Sequence, residues 1–129
     1  GLGDVYKRQS TGLGGKGEKL RFYVLILANE LKPFLEYQKK VIEREFPYSL
    51  EKAGCEIERL TIGEKYMELV FLIPVRADIK QALDKVINEC NQYGNFLSQV
   101  FTITNVKELS AEEVEEIIKK NGGNSQASH

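Results

Sequence analysis

The sequence has almost no histidine, and the single one among its 129 residues is His129, the last residue. An internal histidine is therefore unavailable as a general base or a metal ligand, which argues against enzyme classes that depend on imidazole. Tryptophan is absent, and the two cysteines, Cys55 and Cys90, are too few for a disulfide scaffold. We interpret them as reduced, buried thiols of a cytoplasmic protein, because no internal histidine is present to activate either one as a nucleophile.

Long apolar runs and an excess of one charge are also missing. No stretch approaches the roughly 18 apolar residues of a membrane span, and no signal-peptide pattern is present, so we expect no membrane association. The formal net charge is -1, which predicts that any binding to nucleic acid is weak and falls as salt rises. At 42% apolar and 29% charged residues, the composition is that of one ordinary globular domain.

Glycine is concentrated in residues 1–19, which are otherwise polar and lack periodicity. We predict that this segment is a disordered or non-native tail. Residues 12–17 match the pattern G-x-G-x-x-G, but a dinucleotide site needs a strand before that pattern and a helix after it. Here a tail precedes and a strand follows, so we expect no cofactor.

Between residues 20 and 121 the sequence contains four strand patterns and three helix patterns. The first and third strands are apolar on both faces, which is typical of central strands. The second strand alternates strictly, which predicts Ile57 and Leu60 on opposite faces. Pro47 predicts a kink or break near Phe46. The strands are predicted at 21–28, 55–62, 66–73 and 96–104, the helices at 31–53, 79–93 and 111–121, and a second disordered tail at 122–129.

The order β-α-β-β-α-β with an added C-terminal helix predicts an α+β, ferredoxin-like fold with an antiparallel sheet. Right-handed crossovers place the two longer helices on one face of that sheet. The last helix, predicted to end at Gly122 and Gly123, is about three turns long and too short to cover the other face. We therefore predict a homodimer built through that open face, with the interface residues Tyr23, Leu25, Leu27, Val70 and Leu72.

The hairpin at 60–74 (LTIGEKYMELVFLIP) and the short helix after the fourth strand carry a family resemblance. Over about residues 20 to 121 the chain resembles the single-tyrosine HUH transposases of small insertion sequences. In that family two histidines on the hairpin's second strand hold a metal ion, and a tyrosine on the last helix attacks DNA. The histidines would fall on Lys65 and Met67, or one residue later on Tyr66 and Glu68.

The nucleophilic tyrosine of the resembled family would fall on Ile117, and a ligand of that family lies near the place of Asn121. An ammonium repels a cation and a thioether is a poor ligand for magnesium or manganese, so Lys65 and Met67 cannot replace two imidazoles. Ile117 cannot act as a nucleophile. The resemblance therefore implies a relative without catalysis, and we assign no catalytic, metal or cofactor residues.

Aromatic rings beside cations can stack on bases while the cations meet phosphates. On this basis the predicted nucleic-acid contacts are Arg21, Lys65, Tyr66 and Arg76. We expect a non-catalytic, dimeric, transposase-like module for nucleic-acid hairpins or single strands. The alternative is a regulatory or structural homo-oligomeric domain with no nucleic-acid role. A single basic groove near Lys65 and Arg76 favours the first function, and scattered charge favours the second.

Overall fold

The computed structural model of the protein describes residues 18–105 and 107–127, with side chains to residue 121. Its core is one four-stranded sheet in which every neighbouring pair is antiparallel and the strand order is β2-β3-β1-β4. This architecture confirms the predicted ferredoxin-like α+β fold with an added C-terminal helix. The strands are β1 (Lys19–Ala28), β2 (Glu56–Ile62), β3 (Tyr66–Pro74) and β4 (Leu97–Thr104), and the helices are α1 (Glu36–Lys52), α2 (Ile79–Asn91) and α3 (Ala111–Ala127).

Helices α1 and α2 cover one face of the sheet, as right-handed crossovers require. Both helices begin at recognisable signals: Gln38 accepts a hydrogen bond from the backbone of Leu35, and Asp78 accepts one from the backbone of Gln81. The side chains packed between helices and sheet are almost all apolar, so this layer holds most of the hydrophobic core. Its fully buried members include Val24, Ile26, Ile42, Phe46, Leu69, Phe71, Leu83 and Ile87.

The opposite face of the sheet is covered by α3, so the prediction that this face is open is wrong. Val114 is buried against the sheet, and Ile117 and Ile118 pack at its edge. The helix continues past Gly122 and Gly123 to Ala127, against the prediction that it ends at those glycines. The residues predicted to form a dimer interface are instead buried within one chain or, for the last, half-buried: Tyr23, Leu25, Leu27, Val70 and Leu72.

One helix suffices because, among the described residues, only the two central strands are apolar on this face. The outer strands carry polar residues there, such as Arg59 opposite Val70 and Thr102 opposite Leu25. The expectation of a large exposed apolar area came from requiring the last helix to cover all four strands. The homodimer itself stays a prediction.

Three local predictions also need correction. Helix α1 begins at Glu36 and not near Leu31, because Glu30 and Leu31 have positive φ angles of 58° and 56°, which end β1 in a tight turn. It then runs through Pro47 without interruption, since Phe46 on one side of the proline is fully buried and holds the helix on the sheet.

Strand β2 contains a bulge between Ile57 and Arg59, so Ile57 and Leu60 both face α1 and α2.

The β2–β3 hairpin turns at residues 63–65, as predicted. The ring of Tyr66 lies over Gly63, and a Cβ at that position would come within 2.6 Å of the ring. A side chain at position 63 would therefore require the Tyr66 ring to move. Within the part of the chain that the structure describes, no helix combines the length and apolar character needed to cross a bilayer.

Candidate functional site

The α3 side of the sheet is where the family resemblance places a reactive centre. Ile117 packs there with the cluster that contains Tyr66. Side chains alternate along β3, so Tyr66 and Glu68 face α3 while Met67 is fully buried against α1 and α2. Lys65 and Met67 are therefore the wrong positions for the two metal ligands of the resembled family, because Met67 points away from Ile117. The later register, Tyr66 and Glu68, is the one that faces the last helix.

Tyr23 and Glu68 form a hydrogen-bonded pair beneath α3. The Tyr23 hydroxyl donates to Glu68 Oε2 over 2.6 Å, and the tyrosine is only 2% exposed. Burial first, and then the neighbouring carboxylate, raise the pKa of Tyr23 far above its ordinary value. The phenol is therefore a protonated donor that substrate cannot reach. Sequence analysis missed this pair because it treated Tyr23 as part of an apolar face.

Charged side chains at the edge of the same face tie the segment before α3 to the sheet. Arg59 Nη2 lies 2.6 Å from Glu108 Oε1, Arg21 Nη2 lies 3.2 Å from Glu108 Oε2, and Arg21 Nε lies 2.8 Å from Glu58 Oε1. We call these four residues the Glu108 network. The hydrogen bond from Arg59 and then that from Arg21 lower the pKa of Glu108. Arg21 is thus engaged with two carboxylates, which compete with any phosphate for it.

The four predicted nucleic-acid contacts do not form one site. Lys65 and Tyr66 lie at the hairpin end of β3, and Arg76 follows Pro74 at the other end. Nine strand residues separate the two ends by about 26 Å. Arg21 pairs with Leu72 and so lies near the Arg76 end. Lys65 and Arg76, near which a basic groove would favour nucleic-acid binding, therefore lie at opposite ends of β3.

The cysteines are free and buried, as predicted. Burial raises the pKa of Cys90 to about 12 and raises the pKa of Cys55 as well. Both thiols are therefore protonated at neutral pH and unsuited to nucleophilic attack. Across residues 18–105 and 107–127 no group of three or more histidine, cysteine, aspartate or glutamate side chains is arranged to hold a metal ion.

Comparison with known proteins gives a fold but no family assignment. No protein-family model matches the chain, and no curated protein matches its sequence. Among solved structures, a candidate transposase from Deinococcus radiodurans R1 is similar with a TM-score of 0.65 at 14% identity, over 93% of this chain and 95% of that one. A REP-associated tyrosine transposase, solved bound to a REP hairpin, is similar with a TM-score of 0.58 at 11% identity, over 88% of this chain and 67% of that one. At such low identity the likeness concerns the fold, and the chain has a distant structural resemblance to transposases, among them a tyrosine transposase.

Proposed function

We propose that this chain is a transposase-related module that binds nucleic-acid hairpins without cutting them. The observation that carries this proposal is the chemistry of the α3 side, where Tyr66 and Glu68 face Ile117. The partner class is suggested by the similar tyrosine transposase, which was solved with a REP hairpin. In this proposal the chain shares the fold and the class of partner with that transposase, and it lacks the cleavage chemistry.

Cleavage by a tyrosine enzyme needs a phenol that can reach the phosphate and a metal ion that polarises it. Helix α3 has no tyrosine in its sequence. Two tyrosines lie on the sheet face under that helix: Tyr23 is buried, hydrogen-bonded and held in its protonated form, and Tyr66 is half-buried with its ring packed over Gly63. Glu68 alone offers one carboxylate, and that carboxylate already accepts the Tyr23 hydroxyl. These features favour binding over catalysis.

The experiment combines a binding assay with a cleavage assay on the same labelled DNA hairpin. We expect a complex at about 50 mM salt that weakens steeply towards about 200 mM, because the contacts are to phosphates. We expect no covalent protein–DNA adduct after incubation with manganese. A scrambled strand of equal composition is the control for hairpin recognition. An adduct on a denaturing gel would overturn the non-catalytic assignment.

Two matched variants indicate which end of β3 contacts the hairpin. Lys65→Gln removes a cation at the β2–β3 turn, and Arg76→Gln removes one at the opposite end of the strand. Because the two residues are far apart, a compact hairpin contacts one end more than the other. We expect only one of the two variants to reduce the salt dependence of binding, by about one unit of slope.

The alternative function is a regulatory or structural homo-oligomeric domain with no nucleic-acid role. Two observations favour it: Lys65 and Arg76 lie at opposite ends of β3, and Val100 is 77% exposed on the edge strand β4. An exposed edge strand is a surface on which a second copy can add. Sedimentation at micromolar concentration tests this function. A stable oligomer that binds no hairpin at low salt would favour it over the proposal above. Homodimerisation and a cytoplasmic location are part of both proposals.

A further inference from the structure

Three tyrosines lie on the outer side of the α1–α2 layer. Tyr37, Tyr48 and Tyr93 are 48%, 61% and 50% exposed, whereas Tyr23 under α3 is 2% exposed. Tyr37 and Tyr48 are on α1, and Tyr93 follows the end of α2. The sheet separates all three from α3. This side of the molecule therefore has exposed aromatic rings that contribute little to the core.

The rings are held by neighbours and not left loose. The Tyr37 hydroxyl donates to the backbone oxygen of Tyr93 over 3.0 Å. Gly94, at φ 138°, makes room for that hydroxyl, because a Cβ there would lie 2.9 Å from it. Restrained rings lose less conformational entropy when they bind a partner, so this arrangement favours recognition.

Each end of this surface places a cation over a ring. The Arg44 guanidinium lies 5.1 Å from the centre of the Tyr93 ring, and the Lys52 ammonium lies 4.7 Å from the centre of the Tyr48 ring. Tyr37, Arg44, Tyr48 and Lys52 follow one another at spacings of seven, four and four residues, which keeps them on one side of α1. We call these four residues and Tyr93 the tyrosine–cation stripe. Tyr37 and Tyr48 are about 16 Å apart along the helix axis.

We propose that the tyrosine–cation stripe binds single-stranded DNA, with unpaired bases stacked on Tyr48 and Tyr93 and phosphates at Arg44 and Lys52. This inference rests on the proposed function for its partner class, and it adds the place of contact and the need for unpaired nucleotides. Base–aromatic stacking beside cations is the usual chemistry of single-strand recognition, because every base has a stacking face. Bases inside a duplex are already stacked and cannot use these rings.

A protein partner fits the stripe less well. The cores of protein interfaces are depleted of lysine and glutamate, yet Lys52 lies directly over the Tyr48 ring and Glu45 lies 3.0 Å from Arg44. The Glu45 carboxylate binds Arg44 through Nε, which leaves the terminal nitrogens of the guanidinium free of that contact. This partial neutralisation limits the affinity, in keeping with a chain of net charge -1.

The test compares three labelled probes by fluorescence anisotropy at about 50 mM salt. They are oligothymidine of about 15 nucleotides, a blunt hairpin, and the same hairpin with a single-stranded extension. We expect the extended hairpin and the oligothymidine to bind more tightly than the blunt hairpin. Tyr48→Ala should weaken binding of the extended hairpin by about 5-fold or more, and Tyr48→Phe should retain it, because the ring and not the hydroxyl stacks.

The charge is tested separately from the ring. Lys52→Gln should lower the salt slope of oligothymidine binding by about 0.7, the value for one phosphate contact on a single strand. Lys119→Gln, an exposed lysine on α3, is the matched control and should leave the slope unchanged. Tyr48 and Lys52 are exposed, and an unchanged melting temperature checks that the variants are folded.

The remaining outcomes overturn the inference in distinguishable ways. If the wild type binds the hairpins while Tyr48→Ala and Lys52→Gln bind as tightly as it does, the stripe is not the contact surface and the proposed function stands. If Tyr48→Ala dissociates an oligomer without changing DNA binding, the stripe is a protein interface. If the wild type binds none of the three probes, the inference and the proposed function fail together.

Discussion

The two faces of the sheet differ in what holds their helices in place. The face under α1 and α2 belongs to a cluster of nineteen buried residues, nearly all apolar and most of them fully inaccessible. Among the residues whose side chains are described, the cluster between α3 and the sheet has five buried members, and one of them is Tyr23, whose hydroxyl donates to Glu68. Because hydrophobic stabilisation grows with the apolar area removed from water, most of the folding free energy lies on the first face.

The difference indicates that α3 is a separable cover and that α1 and α2 are not. Polar contacts help to position α3. The Glu108 network connects the segment before α3 to β1 and β2. Ser110 and Glu113 form a capping box at the first turn, in which each side chain accepts a hydrogen bond from the other residue's backbone N–H. Solvent-exposed ion pairs contribute little stability each. The following experiments test this difference between the two faces.

The largest expected effect comes from placing a charge on each face of β1. Val24 faces α1 and α2, and Leu25, the next residue, faces α3. A buried, unpaired carboxylate costs several kcal/mol, which is comparable with the stability of a small domain. We expect Val24→Glu to abolish cooperative unfolding, because no side chain on that face can move away. Leu25→Glu should displace α3 and leave the remaining domain folded.

Hydrogen exchange measures the outcome of this pair. In Leu25→Glu, protection should be lost in α3 and kept in β1, α1 and α2. Global loss of protection in both variants would show that α3 is an integral part of the core. A third outcome would restore the α3 face as the dimer interface. In that outcome the wild type is a dimer, and Leu25→Glu is a folded monomer in which α3 is still protected.

The next effect is a matched loss of volume in the two helical layers. Ile87 on α2 is fully buried, while Ile117 on α3 is half-buried. Ile87→Ala should lower the free energy of unfolding by about 2–5 kcal/mol, through lost transfer energy and a residual cavity. Ile117→Ala should lower it by about 1 kcal/mol, because water fills the space that the side chain leaves. Urea denaturation measures both, and equal losses would contradict the comparison.

The same asymmetry explains what the sequence could predict. The apolar periodicity of β1, β3, α1 and α2 is a strong local signal, so the element order and the fold were correctly predicted. The cover on the second face was not predicted, because the last helix was expected to have to span all four strands, although the outer strands carry polar residues there. The end of that helix was misplaced as well, since propensity favours a stop at Gly122 and Gly123 and the helix continues to Ala127.

The site was less predictable than the fold, because its pairs depend on register. A bulge in β2 and the alternation of β3 decide which side chains meet, and a one-residue shift moves each of them to the other face. Sequence analysis therefore left the choice between Met67 and Glu68 open. The partners of Arg21 could not be anticipated either, because Glu58 and Glu108 are 37 and 87 residues away in the chain.

A smaller effect is expected from the hydroxyl of Tyr23. Tyr23→Phe keeps the ring and removes the donor to Glu68, a half-buried carboxylate that water can partly hydrate. We expect a loss of about 1–2 kcal/mol in the free energy of unfolding at neutral pH. Tyr48→Phe is the control, because its ring is exposed on the other side of the molecule and the loss of its hydroxyl should change stability little.

The pKa of Tyr23 adds a pH signature to that variant. The folded state raises this pKa, so above the ordinary tyrosine value of about 10 the unfolded chain loses a proton that the folded chain keeps. The stabilisation is present below that pH and declines as the pH rises further. Stability of the wild type should therefore fall more steeply in alkali than that of Tyr23→Phe. Parallel alkaline profiles would show that the hydroxyl is not buried in solution.

The smallest expected effect concerns the Glu108 network, where Glu108→Gln removes the negative charge that Arg59 and Arg21 share. The folded state lowers the pKa of Glu108, so its contribution is present above the ordinary glutamate pKa and is lost as the pH falls through the lower folded-state value. Because the network is exposed, salt screens it, and the variant should resemble the wild type at high salt.

Global unfolding is too insensitive to detect the change caused by Glu108→Gln, so amide exchange of α3 at low salt is the measurement. We expect faster exchange in α3 of Glu108→Gln, unchanged exchange in α2, and a difference between variant and wild type that disappears as the pH falls well below the ordinary glutamate pKa. Glu112→Gln, an exposed glutamate on α3 outside the network, is the control. Equal α3 exchange in Glu108→Gln and the wild type at low salt and neutral pH would mean that Val114 and its apolar neighbours alone hold the cover in place.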